Sequence, residues 1–301
     1  MFQTVKGMDP RDTEAIHHAV WRQLNMRTQT GAIVHALSAL DLALWDIHGK
    51  AAGRTIAELL GGFRDYASTY CTFGLSDYDR DELVAMARHV AEAGHRALKM
   101  VVGAAKGGWR EDLARLRAVR DAIGPDIALM MDANYGFDAR SLCNAGEELD
   151  IAFFEEPIIQ NDARMLADLR RMTRIPIAAG QMEGHRWRYR ELIEHRAVDI
   201  LQPNCCYGSG YTDTRKFCHV AQMFNLPIAI GGGWPSFNLH LMAGLMNGGP
   251  VELHMVTAAV CDMLFPNAPP LEGTRMRVPV APGLGLEPDT AFLAQTRVTE
   301  V

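Results

Sequence analysis

No apolar run in this 301-residue sequence reaches membrane-spanning length, so no bilayer span is expected. No basic stripe stands out either. The 30 Lys+Arg against 36 Asp+Glu leave a formal net charge of −6, which provides no electrostatic footing for a nucleic-acid partner. Cysteine is sparse: Cys71, Cys143, Cys205, Cys206, Cys218 and Cys261 show neither CxxC pairing nor zinc spacing. They read as small core residues or free thiols. Low-complexity tracts are missing. The opening MFQTVKGMDPRDTEA has the texture of neither a signal nor a transit peptide, so the expected compartment is the cytoplasm. What is present is 48% hydrophobic and 22% charged residues, a composition that excludes a disordered chain, a coiled coil or collagen.

The first 65 residues read as helical. Asp9-Pro10 and Thr13-Glu14 start one helix that runs to about Leu24. A second, roughly Thr30 to Ala52, is apolar around most of its surface and is expected to be buried on more than one side. From residue 66 short apolar runs recur at Ala67–Phe73, Ala97–Val102, Ile127–Met131, Ile151–Phe154, Ile175–Ala179, Val198–Leu201, Leu226–Ile230 and Val251–Met255. Amphipathic helical stretches fill the seven intervals. Strand–helix alternation indicates a parallel sheet, and eight strands indicate a closed barrel more than an open sheet. The predicted organisation is a helical segment (1–65), a barrel (66–265) and a Pro- and Gly-rich tail (266–301) that packs back on one of them.

In such a barrel the chemistry sits at the carboxyl ends of the strands. Those ends carry Lys99, then Asp132 and Asn134, Glu155 and Glu156, Gln181 and Glu183, Gln202 and Asn204, the run Gly231-Gly232-Gly233, and Glu252. One lysine and several carboxylates or amides would converge on one mouth. Hard oxygen ligands on successive strands suit Mg2+. A divalent ion there could hold a substrate carboxylate while the proton on the adjacent carbon is removed. The same residues could also merely cap strands and pair with one another. The glycine run lacks the Lys-Ser/Thr of a phosphate loop.

These motifs give the chain a family likeness. The run Ala39-Leu40-Asp41-Leu42-Ala43-Leu44-Trp45-Asp46-Ile47-His48-Gly49-Lys50, Lys99-Met100, Asp132-Ala133-Asn134, Glu155-Glu156-Pro157, Ile177-Ala178-Ala179-Gly180, Gln202-Pro203 and Pro282-Gly283-Leu284-Gly285 resemble the enolase superfamily, specifically its mandelate racemase/muconate lactonizing enzyme group. The resemblance implies a modified (β/α)7β barrel of α/β class with a mainly helical N-terminal capping segment. It also implies Mg2+, a small carboxylate substrate, α-proton abstraction and a homo-oligomeric assembly. By position, Asp132 and Glu155 would be the first two metal ligands, Lys99 the first lysine of a lysine-x-lysine pair, and Glu252 an acid assisting the substrate carboxylate.

Departures from the pattern are as informative. The third ligand, an acid in the family, is Gln181 here, with Glu183 two residues on as a possible substitute. Val101 stands where the second lysine would be. The usual histidine and its orienting aspartate are replaced by Gly231 and Asn204. The family's small antiparallel sheet, whose loops close over substrate, is not among these residues, so a more open mouth is expected. His185 is the candidate for a second proton-transfer group, with Asn134, Asn204 and Gly231 as substrate contacts. Cys205, Cys206, Tyr135 and Tyr207 read as packing or contact residues, and His240 and His254 as structural. The expected activity is Mg2+-dependent dehydration of an acid sugar or related hydroxy acid, with Lys99 as base or electrostatic partner. The alternatives are a racemase, epimerase or cycloisomerase, and a barrel that binds a carboxylate without turnover.

Overall fold

The apolar runs carry few charges, as strands covered on both faces must. A computed structural model of the chain describes residues 1–24, 30–75, 77–103, 105–135 and 139–297. Residues 298–301 of the predicted tail lie outside the described residues. Four helices open the chain: α1 (Phe2–Val5), α2 (Thr13–Leu24), α3 (Ala32–Ala52) and α4 (Ile56–Leu60). Glycine at 53 ends α3 in the left-handed region, and a reciprocal Thr55/Glu58 capping box starts α4.

The alternation follows as β1 (Tyr66–Phe73), α5 (Arg80–Glu92), β2 (Ala97–Val101), α6 (Trp109–Ile123), β3 (Ala128–Asp132), α7 (Ala139–Gly146), β4 (Ile151–Glu155), α8 (Ala163–Met172), β5 (Ile177–Ala179), α9 (Arg186–Glu194), β6 (Ile200–Leu201), α10 (Gly210–Met223), α11 (Pro235–Gly244), β7 (Val251–His254) and α12 (Met255–Leu264). The sheet order β6-β5-β4-β3-β2-β1-β7 is parallel throughout. The predicted strand Leu226–Ile230 forms only an isolated bridge, Leu201 to Ile228. It nevertheless closes the ring: Leu201 N donates to Pro227 O at 2.9 Å, Ala229 N to Leu201 O at 3.1 Å, and Ile230 N to Pro250 O at 2.9 Å.

Three elements were not anticipated: α12, a short strand β8 (Arg275–Arg277) that pairs antiparallel with β1, and a last helix, α13 (Thr290–Gln295). The tail does pack back on the capping helices. Gly283 N donates to Arg54 O at 2.9 Å and Leu284 N to Asp46 Oδ1 at 2.8 Å. His240, read as structural, bonds Leu284 O at 2.9 Å.

Strand alternation sorts the side chains. Leu98, Met100, Leu129, Met131, Phe154 and Ile177 face the helices in the large outer core. Tyr70, Met130, Phe153 and Ala178 form a separate apolar layer inside the barrel. Two residues further along the same strands lie Thr72, Asp132 and Glu155, so this apolar layer is the floor on which the polar mouth rests.

Candidate active site

Register brings the charged residues together. β2 pairs with β1 so that Lys99 lies opposite Thr72, and β3 with β4 so that Asp132 lies opposite Glu155. Lys99 is fully buried, and its Nζ lies 3.0 Å from Asp132 Oδ2, 2.5 Å from Glu155 Oε2 and 2.9 Å from Glu252 Oε1. Burial by itself would strip this ammonium of its proton. The three carboxylates more than reverse that and hold its pKa well above the ordinary lysine value. Glu252 is lowered in turn: Lys99 and a hydrogen bond from the Thr72 hydroxyl outweigh its burial. Its second oxygen accepts from Gly233 N at 2.7 Å. Glu155 moves the other way, pushed well above the usual carboxylate range by burial and by Asp132 beside it. Three carboxylates against one ammonium leave the cluster short of positive charge.

The oxygens of this ring are unevenly used. Glu155 Oε2 also accepts from Gln202 Nε2 at 2.7 Å, while Glu155 Oε1 and Gln202 Oε1 are buried with no partner among the described residues. Asp132 Oδ1 accepts only the backbone N–H of Asn134, at 2.9 Å. Gln181 turns its amide nitrogen to Glu156 Oε2 at 2.7 Å. Its position depends on Gly180, whose φ of +124° only glycine adopts readily and whose carbonyl accepts from Tyr189 OH at 2.7 Å. Among the described residues no three His, Cys, Asp or Glu side chains form a set able to hold a metal ion. Two neutral amides, Gln181 and Gln202, stand beside these acids and carry the remaining side-chain oxygens.

A cavity of about 220 Å³ opens over the cluster, its wall including Val101, Asp132, Asn134, Gln181, Glu252 and His254. The other predicted residues are placed differently. Glu183 is paired with Arg188 Nε at 2.9 Å and accepts from Asn161 Nδ2 at 3.2 Å. His185 is not at the mouth: it is buried between Trp21 and Trp187, each 5.6 Å away centre to centre, and neither ring nitrogen has a partner. Burial there lowers its pKa. Asn204 is buried and braces loops, donating to Gly231 O at 2.6 Å and accepting from Asn238 Nδ2 at 3.1 Å. At Gly231 a Cβ would stand 2.8 Å from Gln181 Oε1 and 2.9 Å from Gln202 Nε2, so two amides fill the space of the missing imidazole.

Several neighbours escaped the sequence reading. Gln202 was noted at its strand end without a role. Glu156 accepts from Gln181, from Tyr135 OH at 2.9 Å and from Asn161 Nδ2 at 3.2 Å. Burial and Asp132 push Glu156 up to about 7 against those three donors. His254, read as structural, caps α12 through Val256 N and also lines the cavity. Strand parity was the available signal for His254, two residues past Glu252 on β7.

Comparison with known proteins agrees with this architecture. The family model for the mandelate racemase/muconate lactonizing enzyme N-terminal domain matches residues 3–61, and the enolase C-terminal domain-like model matches residues 82–292. D-galactarolactone cycloisomerase of Agrobacterium fabrum is 33% identical over 98% of this chain and 82% of its own. Arabinonate dehydratase of Saccharolobus solfataricus is 30% identical over 91% of this chain and 76% of its own. The crystal structure of L-talarate dehydratase from Polaromonas sp. JS666, complexed with Mg and L-glucarate, is 31% identical with a TM-score of 0.87, covering 97% of this chain and 81% of that one. With both family models and a full-length relative matched, the chain belongs to the mandelate racemase/muconate lactonizing enzyme family of the enolase superfamily.

Proposed function

We propose that this protein is a Mg2+-dependent lyase that removes the proton α to the carboxylate of an acid sugar and expels the oxygen substituent on the next carbon as water. One observation supports the reading above the others. Among the described residues the buried Glu155 Oε1 has no hydrogen-bond partner, in a cluster whose carboxylates outnumber its ammonium. An acceptor left bare in such a place is unfavourable by ~1–3 kcal/mol or more unless a cation or water meets it. The donors fit a hard dication: Asp132, Glu155 and the amide oxygen of Gln181 would hold it. When bound, such an ion supplies positive charge that grips the substrate carboxylate and stabilises the negative charge developing on it as the α-proton leaves.

The chain's own groups divide the remaining work. Lys99, ringed by three carboxylates, would act beneath the same carboxylate as base or electrostatic partner. Glu252 keeps that ammonium in place through a 2.9 Å contact. His254 is the imidazole on the cavity wall, within the space the substrate would occupy. The small volume of about 220 Å³ suits a short polar substrate. It opens at Met182 beside a cleft of about 710 Å³ bordered by Tyr135, Gln160 and Arg188, where the rest of a sugar chain could lie.

The likeness to a cycloisomerase favours a second reading, in which the departing oxygen belongs to a ring and stays attached to the product. The two separate by mass. The protein is incubated with Mg2+ and a panel of aldonates, aldarates and their lactones, and 2-keto acid is detected with semicarbazide. Dehydration gives a product lighter by one water, ring opening an isomer of the substrate. No 2-keto product from any member of the panel would discard both.

A further inference from the structure

We infer that Glu156 is a positioning residue that fixes which end of the Gln181 carboxamide faces the barrel mouth. The inference rests on the proposed Mg2+ reading for its functional meaning, but the orientation itself stands on hydrogen bonding alone. Glu156 is fully buried, and among the described residues its side chain accepts three hydrogen bonds. Oε1 accepts from Tyr135 OH at 2.9 Å and from Asn161 Nδ2 at 3.2 Å, and Oε2 accepts from Gln181 Nε2 at 2.7 Å. A carboxylate has no proton to give, so only the NH2 end of an amide can face it. The carbonyl end of Gln181 is thereby turned to the other side, towards Gly231 and towards Gly232, which lines the cavity.

The backbone holds Glu156 to this task. Its φ of +44° lies in the left-handed region, which is unfavourable for a residue with a side chain. Two hydrogen bonds maintain it: Glu156 N donates to Ala178 O and its carbonyl accepts from Tyr135 N, both at 2.9 Å. In an extended strand the residue after Glu155 would point away from the barrel interior. The left-handed turn instead places both carboxylates of the Glu155-Glu156 pair on the mouth side, one in the ring with Lys99 and one behind Gln181.

The direction of the amide follows from Glu156 in a way that one substitution reverses. In Glu156→Gln the new amide must offer its oxygen to the donors Tyr135 and Asn161, which leaves its NH2 facing Gln181. Gln181 must then turn its own oxygen inward to accept, and presents NH2 to the mouth. An NH2 group repels a cation. Adding Gln181→Glu to that variant removes the conflict, because a carboxylate can accept from the new NH2 with one oxygen and still present the other.

Two measurements at pH 8 test this on the full chain. The first is the side-chain amide signal of Gln181 in protein labelled with 15N-glutamine, assigned by its loss in Gln181→Glu. It is expected to move in Glu156→Gln; an unmoved signal overturns the inference whether or not Mg2+ binds. The second is calorimetric titration with Mg2+ alone. Glu156→Gln is expected to bind at least tenfold more weakly than the wild type, and Glu156→Gln with Gln181→Glu to recover that loss. Unchanged affinity in the single variant, or no recovery in the double, overturns the positioning role. Failure of the wild type to bind Mg2+ removes the metal reading instead, and the amide signal then decides the orientation by itself. Glu156→Asp, which keeps the charge but withdraws it by one methylene, is the second variant should the first not fold, and is expected to shift the same signal.

Discussion

Asp41 on α3 accepts the backbone N–H of Thr212 on α10 at 3.0 Å, so a carboxylate from the capping segment closes the amino end of a barrel helix. Ser209, the residue at that helix's own cap position, forms no such bond with its side chain. The approach is possible only because residue 210 is glycine: a Cβ there would lie 2.2 Å from Asp41 Oδ2. Trp45, one turn along α3, donates to Thr212 Oγ1 at 2.8 Å and joins the same seam.

This seam predicts a pH dependence of stability. Burial pushes Asp41 up to about 7; the Thr212 hydrogen bonds and Arg215 oppose the shift, and Asp213 adds to it. The folded chain therefore binds a proton there that the unfolded chain, with a carboxyl near 3.8, has already released. The associated stability is present below the unfolded value and is lost as pH rises through about 7. Asp41→Asn is expected to flatten that slope and to exceed the wild type at pH 8 by up to ~4 kcal/mol. Urea unfolding at pH 5, 6.5 and 8 checks it. A variant with the wild-type slope would show that Asp41 is not the group responsible.

Lys99→Met keeps the volume of the lysine but leaves Asp132, Glu155 and Glu252 buried without their shared counter-ion. Turnover is expected to disappear. Stability in Mg2+-free buffer is expected to fall by ~3–5 kcal/mol, the usual consequence of removing one partner from a buried ion pair. Chemical denaturation with EDTA present measures this, and a variant as stable as the wild type would contradict the ion cluster described here.

Gly231→Ala forces a methyl to within 3 Å of both the Gln181 and Gln202 amides. It is expected to lower stability by ~1–3 kcal/mol by prising those amides from Glu156 and Glu155. Gln202→Ala opens the space, so the double variant is expected to lose less than the sum of the two single losses. Thermal unfolding of the three variants gives the coupling, and strict additivity would mean the side chains do not compete.

Short apolar runs and helical periodicity were enough to mark the barrel, and the polar residues at the run ends were enough to mark Lys99, Asp132, Glu155 and Glu252, because strand parity and parallel register bring such positions together in any closed sheet. The segment 226–230 shows the limit: its run of apolar residues reads as a full strand but makes a single bridge. His185 was misplaced for a related reason. Six residues past β5 the chain is already entering α9, and the neighbours that claim the ring are Trp187 in that helix and Trp21 on α2.

The amino-acid order by itself determined the alternation of strands and helices, the layer of acids and one lysine above an apolar floor, and the departures at Val101, Gln181, Asn204 and Gly231. These are matters of local periodicity and residue type. Only the tertiary structure decided how that lysine is paired, which way the Gln181 amide points, and that Glu183 belongs to Arg188. The first two depend on hydrogen-bond and ion-pair partners from distant parts of the chain, and the third on the turn into α9 that brings Arg188 back to Glu183. Burial then makes the choice of partner, not the identity of the residue, set its charge and direction.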